Sequence, residues 1–211
     1  MNDSISPRVA PFGLKWRGDY LWVGETKNGI RNLVQYYTFT KSGNRGCIAW
    51  GIALDFVMVP KGKKLTSNRT EQSAMIHMGE WAEGYANSFR GKEMKDGNGV
   101  ASHYRDIAKK TIIQAMEGEL DNIRSFFDRA STLEGIIGIA EEQIHHPKSP
   151  IYTMKFPSPL YILAFIYAYR GEMDKALDCL EKEAYFSDEK NLVLKNRVKD
   201  QLFQLSKNPA L

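Results

Sequence analysis

The feature that most constrains the fold is a run of strict alternation between residues 47 and 59. Large apolar side chains occupy every second position, namely Ile48, Trp50, Ile52, Leu54, Phe56 and Met58. Successive side chains of a β-strand point to opposite faces of a sheet, so this run predicts one long strand with an apolar face. The alternate positions include the small residues Ala49, Gly51 and Ala53. They predict that another part of the molecule lies close against the second face.

Neighbouring segments supply strands that can pair with this one. In residues 14–22, apolar and polar side chains alternate around Gly18-Asp19, which predicts a tight hairpin with Trp16 and Trp22 on one side and Lys15 and Arg17 on the other. Residues 30–40 are rich in Val, Tyr, Thr and Phe, which favour strands. A turn cluster at 41–46 separates this segment from the long strand. These short connections predict an antiparallel sheet.

The apolar period then changes from 2 to 3.6, which predicts helices. Residues 74–89 form the first such stripe, with Met78 and Trp81 on it, and residues 91–101 are a glycine-rich loop. Further helices are predicted at about 102–130, 131–146, 158–170, 174–186 and 189–206. Ser131 and Glu134 form a capping box, Pro159 suits the first helical position, and Gly171 suits the position after a helix end.

The predicted organisation is therefore an α+β fold, an N-terminal antiparallel sheet followed by an all-helical C-terminal half. Its parts are a flexible tail at 1–12, a sheet region with a following helix at 13–90, the glycine-rich loop at 91–101 and the helical region at 102–211. The tail prediction depends on Pro7 and Pro11 and on the absence of any apolar period.

One helical pair resembles a tetratricopeptide unit. The matching positions are Leu160, Leu163, Ala164, Tyr167, Gly171, Ala176, Leu180 and Ala184. The pattern departs where Glu183 stands at the expected late small position and where Asp188 replaces the expected proline. About three units are needed for a solenoid. We therefore expect a single helical hairpin docked on neighbouring helices.

The first 90 residues resemble an uncharacterised bacterial family, domain of unknown function 4304. The resemblance is carried by residues 12–18 (FGLKWRG), Leu21-Trp22, the strand at 33–39 (LVQYYTF), Lys41-Ser42 and a second long strand ending near Pro60. It implies an α+β fold of bacterial origin, and a role as an immunity-type partner of a toxin or defence system. It supplies no catalytic residues.

Composition narrows the class of protein further. No segment approaches the roughly 20 apolar residues of a membrane-spanning helix, and the first residues lack a basic stretch followed by an apolar one. We therefore expect a cytoplasmic protein without a membrane partner. Cys47 and Cys179 lie among apolar residues without zinc-ligand spacing, so we interpret both as buried free thiols.

The charge is unevenly distributed along the chain. Residues 1–70 contain eleven Lys and Arg against four Asp and Glu, a net charge of +7, whereas the remainder is acidic. The basic half can steer an acidic partner, or it can face the acidic half of its own chain. Basic residues interleave with aromatic ones on the predicted sheet. The candidate partner-binding residues are Lys15, Arg17, Arg31, Tyr36, Lys41 and Arg45.

Three weak catalytic patterns in the sequence also have structural explanations. Glu142 and His145 share a helix face, but carboxylate-bridged di-iron sites need two such motifs. His77 and Glu80 lack an accompanying nucleophile. A nuclease-like grouping of Asp55 with Glu93 and Lys95 has the wrong spacing. We interpret all three as structural and predict no metal and no cofactor.

The sequence thus favours a non-enzymatic protein-interaction protein, of the immunity type that neutralises a toxin or effector. The alternative is a nucleic-acid-binding or nuclease-like protein that uses the same basic, aromatic sheet. Under the first hypothesis, charge reversal of Arg17, Arg31 and Arg45 together is expected to weaken partner binding and to leave folding intact.

Overall fold

The computed structural model describes residues 2–38, 45–82, 100–101, 105–145 and 157–208. It confirms the α+β class, with an antiparallel sheet followed by a helical half. The strands are β1 (Lys15–Gly18), β2 (Leu21–Val23), β3 (Ile30–Thr38), β4 (Arg45–Leu54), β5 (Met58–Lys61), β6 (Lys64–Ser67), β7 (Met78–Trp81) and β8 (Val100–Ala101). The helices are α1 (Asn2–Val9), α2 (Arg105–Arg129), α3 (Leu133–His145), α4 (Pro159–Tyr169), α5 (Met173–Lys182) and α6 (Leu192–Lys207).

The main sheet has the strand order β1-β2-β3-β4-β7, and β8 pairs with β4 beside this path. All its pairs are antiparallel. Two tight turns connect the first three strands. Asp19 and Tyr20 both have positive φ between β1 and β2, and Asn28 and Gly29 do so between β2 and β3. Two consecutive left-handed residues match the right-handed twist of the paired strands, so the predicted hairpin is confirmed.

The alternating run was predicted to form one long strand. This prediction is wrong because the chain turns after Leu54. The amide of Val57 donates to the Leu54 carbonyl (3.1 Å), and β5 then pairs with β6 in a separate two-stranded sheet. Phe56 nevertheless remains buried, since its ring stacks on Tyr169 of α4 with centroids 4.6 Å apart. The alternating large side chains therefore contact the same core before and after the turn, with Met58 partly buried against it.

The predicted helix at 74–89 is wrong over the described residues, because Met78–Trp81 form the edge strand β7. Residues 83–90 lie outside the described part. Gly51 of β4 pairs with Gly79 of β7, and the Ile76 side chain lies over both glycines. A Cβ on Gly51 would lie 2.6 Å from Ile76 Cγ2 and 2.8 Å from Gly79 Cα. The close approach predicted at the second face is thus confirmed.

The flexible tail predicted at 1–12 is also wrong. Residues 2–9 form α1, and Ala10–Phe12 form a 3-10 turn. Ile5 and Val9 are fully buried, and Trp22 Nε1 donates to Ser6 Oγ (2.7 Å). Arg8 pairs with Glu117 of α2 (2.5 Å). Burial of one apolar face and this ion pair hold a short helix that its own propensity would not form.

The helical half follows the predicted order, with one different cap. Ser158 caps α4 by accepting from the Tyr161 amide (3.2 Å), and Gly171 follows its end with φ of 78°. At α3, however, the capping residue is Thr132, whose Oγ1 accepts from the Gly135 amide (3.1 Å). The predicted cap at Ser131 is wrong because its hydroxyl instead donates to the Asp128 carbonyl (2.7 Å).

The glycine-rich loop predicted at 91–101 falls mainly outside the described residues. Its last two residues, Val100 and Ala101, form β8 and pair with Gly46 and Arg45 of β4. They belong to the sheet because their backbone groups complete a ladder at the start of β4.

The tetratricopeptide-like pair forms the hairpin α4–α5, which packs against α3 and α6. Glu183, which departs from the repeat pattern, is buried at its base. Its carboxylate accepts hydrogen bonds from Ser158 Oγ and from the Tyr185 amide (3.1 Å). The departure therefore has a structural role, because one carboxylate ties the start of α4 to the turn after α5.

The sheet and the helices share one apolar core. The inner face of β4, with Ile48, Trp50 and Ile52, belongs to the same buried cluster as Met116 and Ile123 of α2 and most of α4. The opposite sheet face has a smaller cluster with Ala49, Ala53, Ala74, Ile76 and Trp81. The two regions predicted from sequence are thus packed together.

We expect Gly51→Ala to lower the free energy of unfolding by about 1–3 kcal/mol, because its methyl group would overlap Ile76 and the backbone of β7. The control is Gly138→Ala in α3, where an added Cβ meets nothing within 4 Å. That change should stabilise by about 0.5–1 kcal/mol through helix propensity. Urea unfolding followed by tryptophan fluorescence measures both. Equal effects of the two substitutions would contradict the close approach.

Candidate functional site

Lys15 and Arg17 lie on β1, on the side opposite Trp16, as the alternation predicted. Lys15 is exposed and pairs with Glu25 (3.1 Å). Arg17 pairs with Glu71. Both cations are therefore at the surface, and each already has a carboxylate partner from its own half of the chain.

Arg31 is not a surface residue, which corrects its assignment as a binding residue. Its side chain is 7% exposed. Nη2 donates to Thr26 Oγ1 (2.5 Å) and to the Arg69 carbonyl (2.7 Å), and it lies 3.6 Å from Asp55 Oδ1. The guanidinium joins three segments on the second sheet face. Charge reversal at Arg31 would therefore disturb folding, so that expectation is wrong for this residue.

Tyr36 is buried as well, at 1% exposure, so its assignment to a binding surface is also wrong. Its ring packs edge-on against Tyr20 (5.9 Å between centroids), and burial raises its pKa. An aromatic residue in a strand predicts a packed face, but it does not say whether that face is covered. Lys41 lies outside the described residues. Arg45 begins β4, and its side chain also lies outside the described part.

His77 is buried and accepts a hydrogen bond at Nδ1 from the backbone N–H of Leu54 (3.0 Å). The proton of the neutral ring is therefore assigned to Nε2. Burial lowers the pKa of His77 to about 4. A neutral, enclosed imidazole held in this way has a structural role.

Among the described residues, two cysteines are shielded and Glu142 is paired. Burial raises the pKa of the Cys47 thiol strongly and that of Cys179 to about 11, and neither cysteine forms a disulfide. Glu142 pairs with Arg129 (2.6 Å). Within the described ranges, no group of three or more His, Cys, Asp or Glu side chains could hold a metal ion.

The described surface does contain one cleft that sequence reasoning missed. Its volume is about 410 Å³, and it lies where the turn after α1, the β2–β3 hairpin and the α2–α3 corner meet. Its lining residues are Phe12, Gly13, Lys15, Gly24, Glu25, Lys27, Asn28, Ile30, Asn32, Phe127 and Ser131. The volume falls within the range of ligand-binding pockets.

The cleft combines an aromatic floor with a charged rim. Phe12 and Phe127 meet edge to face with centroids 5.8 Å apart, and Ile30 lies beside them. The ionisable lining side chains are Lys15, Lys27 and Glu25. Lys15 and Glu25 pair with each other, whereas Lys27 has no carboxylate within ion-pair distance among the residues that the structure describes. Of the predicted site residues whose side chains the structure describes, the cleft includes Lys15 alone.

No protein-family model, curated protein or solved structure matches the chain. The resemblance to domain of unknown function 4304 accordingly stays a prediction. In the part of the chain with described structure, no helix is long and apolar enough to cross a membrane.

The burial difference between Arg31 and Arg17 gives a direct test. Arg31→Met should lower the free energy of unfolding by about 3 kcal/mol, because it leaves Asp55 without its buried counter-ion and the Arg69 carbonyl without its buried donor. Arg17→Met removes a partly exposed ion pair and should change stability by less than about 1 kcal/mol. Chemical denaturation of both variants measures these changes in the free energy of unfolding. A small effect at Arg31 would restore it as a candidate surface residue.

His77 should make stability depend on pH. Its pKa in the folded state lies below the usual 6.5, so the unfolded chain binds the proton more readily. The stabilisation is complete above pH 6.5 and is lost as pH falls toward about 4, by about 3 kcal/mol in total. Unfolding free energies of the wild type and His77→Asn should therefore converge over this range. Ser125→Asn, at an exposed position of α2 and without removal of a titratable group, should parallel the wild type throughout.

Proposed function

We propose that this protein is a non-enzymatic binding protein that captures a protein partner, of the immunity type that neutralises a toxin or effector. The observation that carries the proposal is the cleft with an aromatic floor and a charged rim. Pockets that desolvate one anchoring side chain are typical centres of protein–protein binding energy. Burial of Cys47 and His77 and the pairing of Glu142 with Arg129 support binding over catalysis at these residues.

The charges at the cleft favour a partner with an acidic surface. Lys15 and Lys27 outnumber Glu25 among the lining side chains, and residues 1–70 as a whole are basic. Such a field accelerates encounter with an acidic protein and weakens at high salt. The nucleic-acid alternative is less well supported. Arg17 is committed to a carboxylate, Arg31 is buried, and Tyr36 offers no free ring face for stacking.

The test is partner capture from the native host with matched charge reversals. Lys27→Glu should reduce capture roughly tenfold, because it places a negative charge at the rim of the cleft. Lys64→Glu reverses an exposed cation on β6, away from the cleft, and should leave capture unchanged. Mass spectrometry with and without nuclease identifies what is retained. Equal capture by both variants would refute the cleft as the binding site, and loss of capture after nuclease would favour the nucleic-acid alternative.

A further inference from the structure

We infer that the cleft recognises an aromatic side chain of the partner together with an acidic side chain next to it. This inference rests on the proposed function and names the chemistry of the contact. The occupant is a surface segment of a protein partner in which a carboxylate and an aromatic ring are neighbours.

The floor of the cleft is suited to an aromatic ring. Phe127 is 6% exposed and fixed in the core by α2, while Phe12 is partly exposed and held edge-on against it. Arg124 lies 5.9 Å from the centroid of Phe12, so this ring is already held by a cation. A ring that enters the cleft can contact both phenylalanines in edge-to-face or offset geometry, which aromatic pairs prefer.

The rim is suited to a single carboxylate. Lys15 already forms an ion pair with Glu25. Lys27 is therefore the lining cation that can form an ion pair with a partner's carboxylate. The amides of Asn28 and Asn32 also line the cleft and supply N–H donors. At Ser131 the C-terminus of α2 meets the N-terminal region of α3, and the partial charges of the two helix ends have opposite sign. They offset each other, so the lining side chains determine which ligand charge the cleft favours.

The walls allow a backbone to approach. Gly13 and Gly24 line the cleft without side chains, and an added Cβ on Gly13 would meet nothing within 4 Å. A partner segment can therefore lay its main chain along this side while two consecutive side chains reach the floor and the rim. Glycine is common where a ligand or a second backbone comes close.

The probe is N-acetyl-glutamyl-phenylalaninamide, titrated into the full chain and followed by nuclear magnetic resonance. We expect saturable binding with a dissociation constant on the order of 1 mM, with shifts confined to cleft residues. The glutaminyl analogue, which has the same shape without the charge, should bind about threefold more weakly. In Lys27→Gln the two peptides should bind equally.

A second pair of variants controls for folding and for surface aromatic residues. Ser131→Trp places a large side chain at the exposed edge of the cleft and should abolish binding of both peptides. Ser125→Trp adds the same side chain to an exposed position of α2 outside the cleft and should bind both as the wild type does.

The outcomes separate this inference from the proposed function. Absence of peptide binding, or equal binding of the two peptides by the wild type, overturns the aromatic-acidic preference, while capture lost in Lys27→Glu would still support the proposed function. Peptide binding that is selective for the acid supports the inference. Peptide binding that persists in Ser131→Trp places the contact elsewhere and overturns it.

Discussion

Burial of the inner face of β4 joins the sheet to the helical half. Ile48, Trp50 and Ile52 are each 1% exposed or less, and they share a cluster with α2 and α4. A single sheet face or a single amphipathic helix cannot bury its apolar side without a second layer. The helical half supplies that layer, so the sheet and the helices are expected to unfold as one cooperative unit.

The second face of the sheet has a smaller apolar cluster, and close backbone packing and buried polar groups accompany it there. Gly51 and Gly79 admit Ile76, and Arg31 and His77 make their hydrogen bonds beside them. Arginine on a half-covered sheet is ambiguous in sequence, since it can serve a partner or close an internal network. Here Thr26, Asp55 and the Arg69 carbonyl surround the guanidinium, and the internal network explains why this part of a basic segment is not available for binding.

Local signals predicted the elements whose structure is decided locally. The hairpin around Asp19, the helix cap at Ser158 and the glycine after α4 follow from backbone conformation and short-range hydrogen bonds, and all are confirmed. Apart from the cap of α3, which lies at Thr132 instead of Ser131, the errors arise where tertiary contacts decide. Met78 and Trp81 fit a helical stripe as well as a strand, and only the pairing of Gly79 with Gly51 selects the strand. Helix α1 depends on burial of Ile5 and Val9 beneath distant residues, which no local pattern reports.

The cleft could not be read from the sequence for the same physical reason. Its floor joins Phe12 to Phe127, and its rim comes from the β2–β3 hairpin, so its parts are contiguous only after α1 and α2 have docked. Lys15 was identified because it alternates with aromatic residues, but Lys27 gave no comparable signal. The two lysines differ in their ion pairs, which depend on the folded structure. Glu25 pairs with Lys15, and Lys27 remains available to a partner. A binding site of this kind is specified by the packing of the fold, and its chemistry becomes readable once that packing is known.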